Sequence, residues 1–223
     1  MTLYFGDLLP YSSLLLKGLG ISLYITVITM VAGGILGILL YRGKAGQARI
    51  PRAISIGYIE VFRNTPLLVQ LYLVYFGLPQ FGINLNPEWS ALIALTLNNA
   101  AYMAEIYRAG FEAVPKGLIE AGRALGMHAN QIFRNVELLP AIRNVFPALT
   151  NQLILLFLAS SVASIIALPE LMNTITNISS RTFRTIEILT VGGLIYFVFS
   201  ALFAVGSRYV DAKLFRWAAT SNV

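Results

Sequence analysis

Two carboxylate–guanidinium pairs stand three residues apart in otherwise apolar stretches, Glu60 with Arg63 and Glu105 with Arg108. That spacing puts both members on one helical face, where they can pair. A charge at bilayer depth costs about 3 kcal/mol on insertion scales, so each calls for a partner or an aqueous cavity. Glu60 and Arg63 precede Pro66, which frees the carbonyl of Phe62 for a nearby side chain, water or a neighbouring helix. They read either as a buried structural pair shaping a kink or as groups on a solute pathway, meeting a carboxylate or an amine. Glu105 and Arg108 read as a membrane-edge pair. Asn98 and Asn99 are placed to hydrogen-bond between helices, with lining a path as the alternative. Ala159, Ala163 and Ala167 recur every four residues beside Ser160, Ser161 and Ser164. In an α-helix this makes one small, partly polar face for close packing or a narrow wetted path. The pathway candidates are therefore Glu60, Arg63, Asn98, Asn99, Ser160, Ser161 and Ser164.

None of these groups suits covalent chemistry. The chain has no HExxH, no GxSxG, no cysteine and one histidine. Disulfides, Cys-ligated metals and multi-His sites are thereby excluded, and an intramembrane hydrolase lacks its nucleophile–base pair. His128 reads as an exposed loop residue. The expectation is a chain with no cofactor of its own. A channel or an ion-coupled transporter with Glu60 as a proton site is the rival within the transport class, and uptake driven by a proton gradient without ATP would mark it.

The elements that must hold these residues are membrane helices. Fifty-seven per cent of the 223 residues are apolar and 12% charged, with a mean hydropathy of +0.72, whereas soluble domains carry about 25% charged residues. Five spans of about 20 residues fit this length. They fall near 19–41, 53–78, 89–107, 145–168 and 186–208, giving an all-α integral membrane fold. Gly33, Gly34 and Gly37 in the first span allow a neighbouring helix to approach closely. The N-terminal stretch MTLYFGDLLPY lacks a basic region and a cleavage site, so the first span is expected to be retained.

Orientation follows from Lys and Arg in alternate loops. The first loop, residues 108–143 and the C-terminal tail hold four, five and three of the sixteen. Residues 1–18 are then extracytoplasmic, and the tail at 209–223 is cytoplasmic. The same count puts the polar insert at 111–143, between the third and fourth spans, on the cytoplasmic side. The net charge of +6 reflects this topology and not nucleic-acid binding.

Within the insert, Leu118, Ala121, Gly122 and Leu125 share one face of a short helix. Gly126 can close it in a left-handed cap, and a second amphipathic stretch carries Ile132, Phe133 and Val136. Ala121, Gly122 and Ala124 are small enough for another protein to approach the backbone, and Glu120 and Arg123 set opposite charges at the edge. From pattern alone, a solvated surface helix is an equal reading.

Glu120-Ala-Gly122, then Gly126, then Val136-Glu-Leu-Leu-Pro140 resembles the EAA motif of permease subunits in bacterial ATP-binding-cassette importers. The motif runs Glu-Ala-Ala, three residues, Gly, nine residues, Ile-x-Leu-Pro. Here Gly122 replaces the second alanine, and the proline is displaced by one, with Leu139 at its expected site. Glu60-Val-Phe-Arg-Asn-Thr-Pro-Leu-Leu-Val-Gln70, Tyr75-Phe-Gly-Leu-Pro79, Ala100-Ala-Tyr-Met-Ala-Glu-Ile-Tyr-Arg-Ala-Gly110 and Leu168-Pro-Glu-Leu171 are similar to segments of the polar amino acid permeases. The likeness spans about residues 18–210.

The resemblance implies that Glu120, Ala121, Gly122, Arg123, Ala124, Leu125 and Gly126 form a coupling helix seated in a cytoplasmic ATPase subunit. It further implies two such ATPases, which bind ATP and magnesium, and a second permease, identical or homologous. An extracytoplasmic binding protein would deliver an amino acid to loops at 79–90 and 169–185, and the assembly would sit in the bacterial cytoplasmic (inner) membrane. Relatives often carry Lys-Ser/Asp-Thr-Ser-Leu where this chain reads Leu158-Ala-Ser-Ser-Val162. This subunit is therefore expected to rely on other groups, or on its partner permease, for the charged part of recognition.

Overall fold

A computed structural model describes residues 4–214, in which the regular elements are all helical and no strand occurs. The start of the N-terminal segment, Met1–Leu3, and Arg216 of the basic tail lie outside the described residues. Helix α1 runs Ser12–Ala45, preceded by a 3-10 turn at Gly6–Tyr11. It is about 51 Å long at 1.5 Å per residue, well beyond the span expected at 19–41. Its glycine face packs on α4, Pro87–Glu112. A Cβ on Gly37 would lie 2.6 Å from Met103 Cβ, so only glycine lets these two backbones come together.

The second expected span is not one helix. α2, Arg49–Arg63, ends at a break over residues 64–66, and α3, Leu67–Tyr72, continues through a π turn at Leu73–Gly77 and a 3-10 turn at Leu78–Phe81. Proline cannot donate to the preceding turn and forces its predecessor out of helical geometry. The freed Phe62 carbonyl accepts from Gln70 Nε2 at 2.9 Å and from Asn98 Nδ2 at 3.3 Å. The break is thus closed by a side chain of α4.

α5 covers Lys116–Ala124 and α6 covers Ala129–Ile132. A π turn at Phe133–Glu137 joins α6 to α7, Leu138–Ala159. The second amphipathic stretch and the fourth expected span are therefore one continuous rod. In the π turn the Leu138 N–H reaches back five residues to Phe133 O. This wider turn relieves the clash between the Pro140 ring and the backbone before it.

Beyond Ala159 the helix tightens to 3-10 geometry over Ser160–Ile166. The four-residue alanine row expected there does not form, because a 3-10 helix repeats every three residues. Ser160, Ala163 and Ile166 share the buried face instead, each 1% exposed. Ala167 ends the turn at φ 60. Most of the expected outer loop at 169–185 is helix α8, Leu171–Thr182, followed by α9, Thr185–Leu214.

Among the described residues, three helical rods are long and apolar enough to cross a bilayer, Gly6–Ala45, Ala129–Ile166 and Thr185–Leu214. α2–α3 is broken, and α4 carries amides and charges through its middle and end.

Glu170, N-cap of α8, is fully buried. Its carboxylate accepts from the N–H groups of Met172 (2.9 Å) and Asn173 (2.7 Å), from Ser22 Oγ of α1 (3.1 Å) and from Tyr196 Oη of α9 (3.2 Å). One side chain thereby ties three helices. Glu170→Leu strands those buried donors and is expected to cost about 3 kcal/mol. Thermal unfolding in detergent checks this, with Glu170→Gln expected to lose less.

Candidate functional site

The polar insert folds as sequence periodicity suggests, and its geometry can be followed bond by bond. Gly126 stands at φ 74. Its N–H donates to Arg123 O (2.9 Å) and that of Met127 to Gly122 O (3.1 Å). These two bonds form a Schellman cap. Gly122 is buried, and a Cβ there would meet Ile132 at 3.2 Å. The helix therefore leans on the foot of the α6–α7 rod through a glycine. Its remaining apolar face is open, with Leu118 44% and Leu125 81% exposed. Ala121, Ala124, Glu120 and Arg123 are exposed as well. Among the described residues no ion pair joins Glu120 to Arg123.

A second contact links the insert to the membrane helices. Phe111, at the end of α4, stacks between Tyr41 of α1 and Phe133 of the π turn, with centroids 5.4 and 5.9 Å apart and planes within 14° and 9°. Sequence reasoning passed over this stack, because its members are far apart in the chain and each reads as an ordinary apolar residue.

The two expected ion pairs part company. Glu105 and Arg108 do pair, at 2.8 Å, but Glu105 also holds Lys44 of α1 at 2.6 Å and faces Arg63 of α2 at 3.7 Å. Glu60 does not pair with Arg63. Its carboxylate accepts instead from Asn64 Nδ2 at 2.9 Å, while Arg63 turns toward Glu105 and lies 5.7 Å over the Tyr102 ring. The helix ends at Arg63, so that side chain leaves the face of Glu60 and reaches a carboxylate that serves three cations.

Both asparagines are interhelical. Asn99, fully buried, donates to Thr29 O of α1 (3.0 Å) and accepts from Gln152 Nε2 of α7 (2.9 Å). Asn98 donates to Gln70 Oε1 at 3.0 Å as well as to Phe62 O. Gln152 and Gln70 were not singled out from sequence. Asn151-Gln152 inside an apolar helix is the signal that finds Gln152, by the same rule applied to Asn98-Asn99.

The serines fold back on their own helix. Ser160 Oγ and Ser161 Oγ donate to Phe157 O and Leu158 O, both at 2.7 Å. The Ser164 carbonyl accepts from Asn173 Nδ2 at 3.3 Å. A cavity of about 490 Å³ opens instead beside Arg63, Tyr102, Glu105, Arg108, Asn151 and Gln152. Of the pathway candidates only Arg63 lines it. His128 is exposed, and its N–H donates to Gln131 Oε1 at 2.8 Å. Among the described residues no group of His, Asp and Glu could hold a metal ion.

The capped helix α5 thus stands exposed beside the long apolar helices. Residues 30–216 match the family model described as binding-protein-dependent transport system inner membrane component. The chain is 39% identical over 215 residues to the arginine transport system permease protein ArtQ of Bacillus subtilis, covering 96% of this chain and 98% of that one. To the octopine transport system permease protein OccM of Rhizobium radiobacter it is 36% identical over 202 residues, covering 85% and 81%. A crystal structure of an amino acid ABC transporter with histidines superposes with a TM-score of 0.92 at 36% identity, covering 96% of this chain and all of that one. The chain belongs to the family of binding-protein-dependent transport system inner membrane components, as a multi-pass permease subunit.

Proposed function

We propose that this permease subunit forms the path for ATP-driven import of a polar amino acid and is driven through α5. The substrate class rests on the relatives, which are named for the transport of arginine, octopine and amino acids. The carrying observation for the drive is the open apolar face of α5, with Leu125 81% exposed beside a Schellman cap. A leucine so exposed on a charged surface suits an apolar groove in a partner. The glycine contact to Ile132 and the Tyr41–Phe111–Phe133 stack give a displaced α5 two routes into α7, α4 and α1. In this reading Glu120–Gly126 seats in one of two cytoplasmic ATPases, which bind ATP and magnesium. A second permease, identical or homologous, completes the path, and an extracytoplasmic binding protein loads it.

The topology that goes with this is five crossings, α1, α2–α3, α4, α7 and α9, with the N-terminus outside and the tail in the cytoplasm. The asymmetry of Lys and Arg supports it. Arg63 and Gln152, which line the cavity, would meet a solute's carboxylate or amine there. Asn98 and Asn99 tie α4 to its neighbouring helices, the Ser164 carbonyl accepts from α8, and Ser160 bonds within its own turn.

Leu125→Asp tests the docking. Expected is normal membrane insertion, with recovery of the co-expressed ATPase on the purified permease reduced at least five-fold. Undiminished recovery, with uptake intact, would refute docking through α5.

A further inference from the structure

A cleft of about 520 Å³ opens at the end of the molecule that carries the insert, between α1, α4 and the start of α7. Its walls are apolar and aromatic, including Ile38, Tyr107, Phe133, Ile142 and Leu149, and Arg42 stands at its edge. Two observations say what fits it. The first is charge. Arg42 is the cation in the cleft's lining, and among the described residues no ion pair engages it, as none engages Arg49 or Arg52 outside the cleft. The second is continuity. Val31, Ile35 and Ile38 form the exposed stripe of α1, at 58, 60 and 45% exposure, and the stripe leads along the helix to Arg42. In a helix that crosses the bilayer, such a stripe faces acyl chains. Ile142, 45% exposed, opens the opposite wall in the same way.

An apolar slot that opens onto lipid and ends at an unpaired arginine near the membrane surface has the shape and charge of a phospholipid. We infer that this cleft binds one glycerophospholipid of the inner leaflet, with an acyl chain against Ile38, Tyr107 and Leu149 and the phosphodiester on Arg42. Basic pockets between membrane helices on the cytoplasmic side recognise headgroups by this combination, and guanidinium meets phosphate in bidentate fashion. Phe133 of the aromatic stack forms part of the wall, so the lipid stiffens the joint between α5 and the spans. The inference rests on α1 crossing the membrane with its Arg42 end toward the cytoplasm, as proposed above; it does not depend on which solute is carried.

The test is native mass spectrometry of the purified full-length chain, incubated separately with palmitoyl-oleoyl phosphatidylglycerol and phosphatidylethanolamine. Arg42→Gln removes the anchor, and Ile142→Trp fills the slot. Arg49→Gln removes a nearby exposed charge outside the cleft. Expected is one tightly retained lipid on the unaltered chain and on Arg49→Gln, with occupancy at least three-fold lower in each of the other two. Retention of both lipids assigns the phosphodiester as the ligand, and retention of the glycerol lipid alone assigns a net negative headgroup; either supports the site. Equal occupancy in all four proteins overturns it, as does an equal loss in Arg42→Gln and Arg49→Gln. A cleft shielded from lipid by a second permease, read as cross-links between copies through position 142, also overturns it. Uptake defects of α5 variants leave these lipid occupancies untouched, so the two readings fail separately.

Discussion

Gly126→Pro is expected to leave membrane insertion intact and to reduce ATP-driven uptake at least ten-fold. Proline fixes φ near −65° and has no N–H, whereas this position stands at φ 74 and donates to Arg123 O at 2.9 Å. Losing the bond and refusing the backbone conformation together cost about 3 kcal/mol. A helix of nine residues, Lys116–Ala124, has little intrinsic stability to set against that. The end of α5 then frays, and Leu125 leaves the position from which it would dock. Gly126→Ala keeps the N–H and meets only the left-handed penalty, about 1–2 kcal/mol, so its uptake falls between the two. Glu120→Arg, which inverts the charge at the helix edge, is expected to uncouple in the same sense. Transport assays at matched protein levels, with hydrolysis by the partner ATPase followed in parallel, read the result. Uptake by Gly126→Pro equal to the unaltered protein would defeat the proposed role of α5.

Glu105→Leu is expected to be the most damaging single change at the membrane edge. The carboxylate holds Lys44 at 2.6 Å and Arg108 at 2.8 Å and faces Arg63 at 3.7 Å. Removing it leaves Lys44 of α1 and Arg63 of α2 without their carboxylate, while Arg108 of α4 keeps its ion pair with Glu112. Breaking a fully buried pair costs about 3–5 kcal/mol. Here Arg63 and Arg108 are 41 and 36% exposed, so solvent screening brings the figure to about 2 kcal/mol. The double substitution Glu105→Leu with Lys44→Leu removes a cation as well and is expected to recover part of the loss. Thermal unfolding in detergent at low and high salt distinguishes the cases. A Glu105→Leu protein as stable as the parent, at both salts, would show that the cluster is ornamental.

The pattern of residues made some of this legible and not the rest, and the particular elements show why. Gly126 could be read in advance because a C-cap is local, a relation among residues four or five apart. The glycines of α1 announced a close approach, but not that Met103 and Asn99 fill the space across from them. Glu60 and Arg63 satisfied the i, i+3 rule and still did not pair, since that rule presumes a helix continuing past both, and this one stops at Arg63. The alanine row at 159–167 failed for a related reason. Its four-residue period holds only in α geometry, and the chain there is a 3-10 helix with Ser160, Ala163 and Ile166 inward.

By itself the sequence determined the class of protein. Its hydropathy demands helices in a bilayer, its charge asymmetry argues for one orientation, and its motifs carry the likeness to permeases, because each is a property of composition or of short spacing. Only the tertiary structure decided who meets whom. It put three cations on Glu105 and tied α1 to α7 through Asn99 and Gln152. It closed the break at Pro66 with Asn98 and Gln70, and it set Phe111 between Tyr41 and Phe133. Those contacts join residues from separate helices, and which faces meet is settled by the packing of whole helices, which no local pattern encodes.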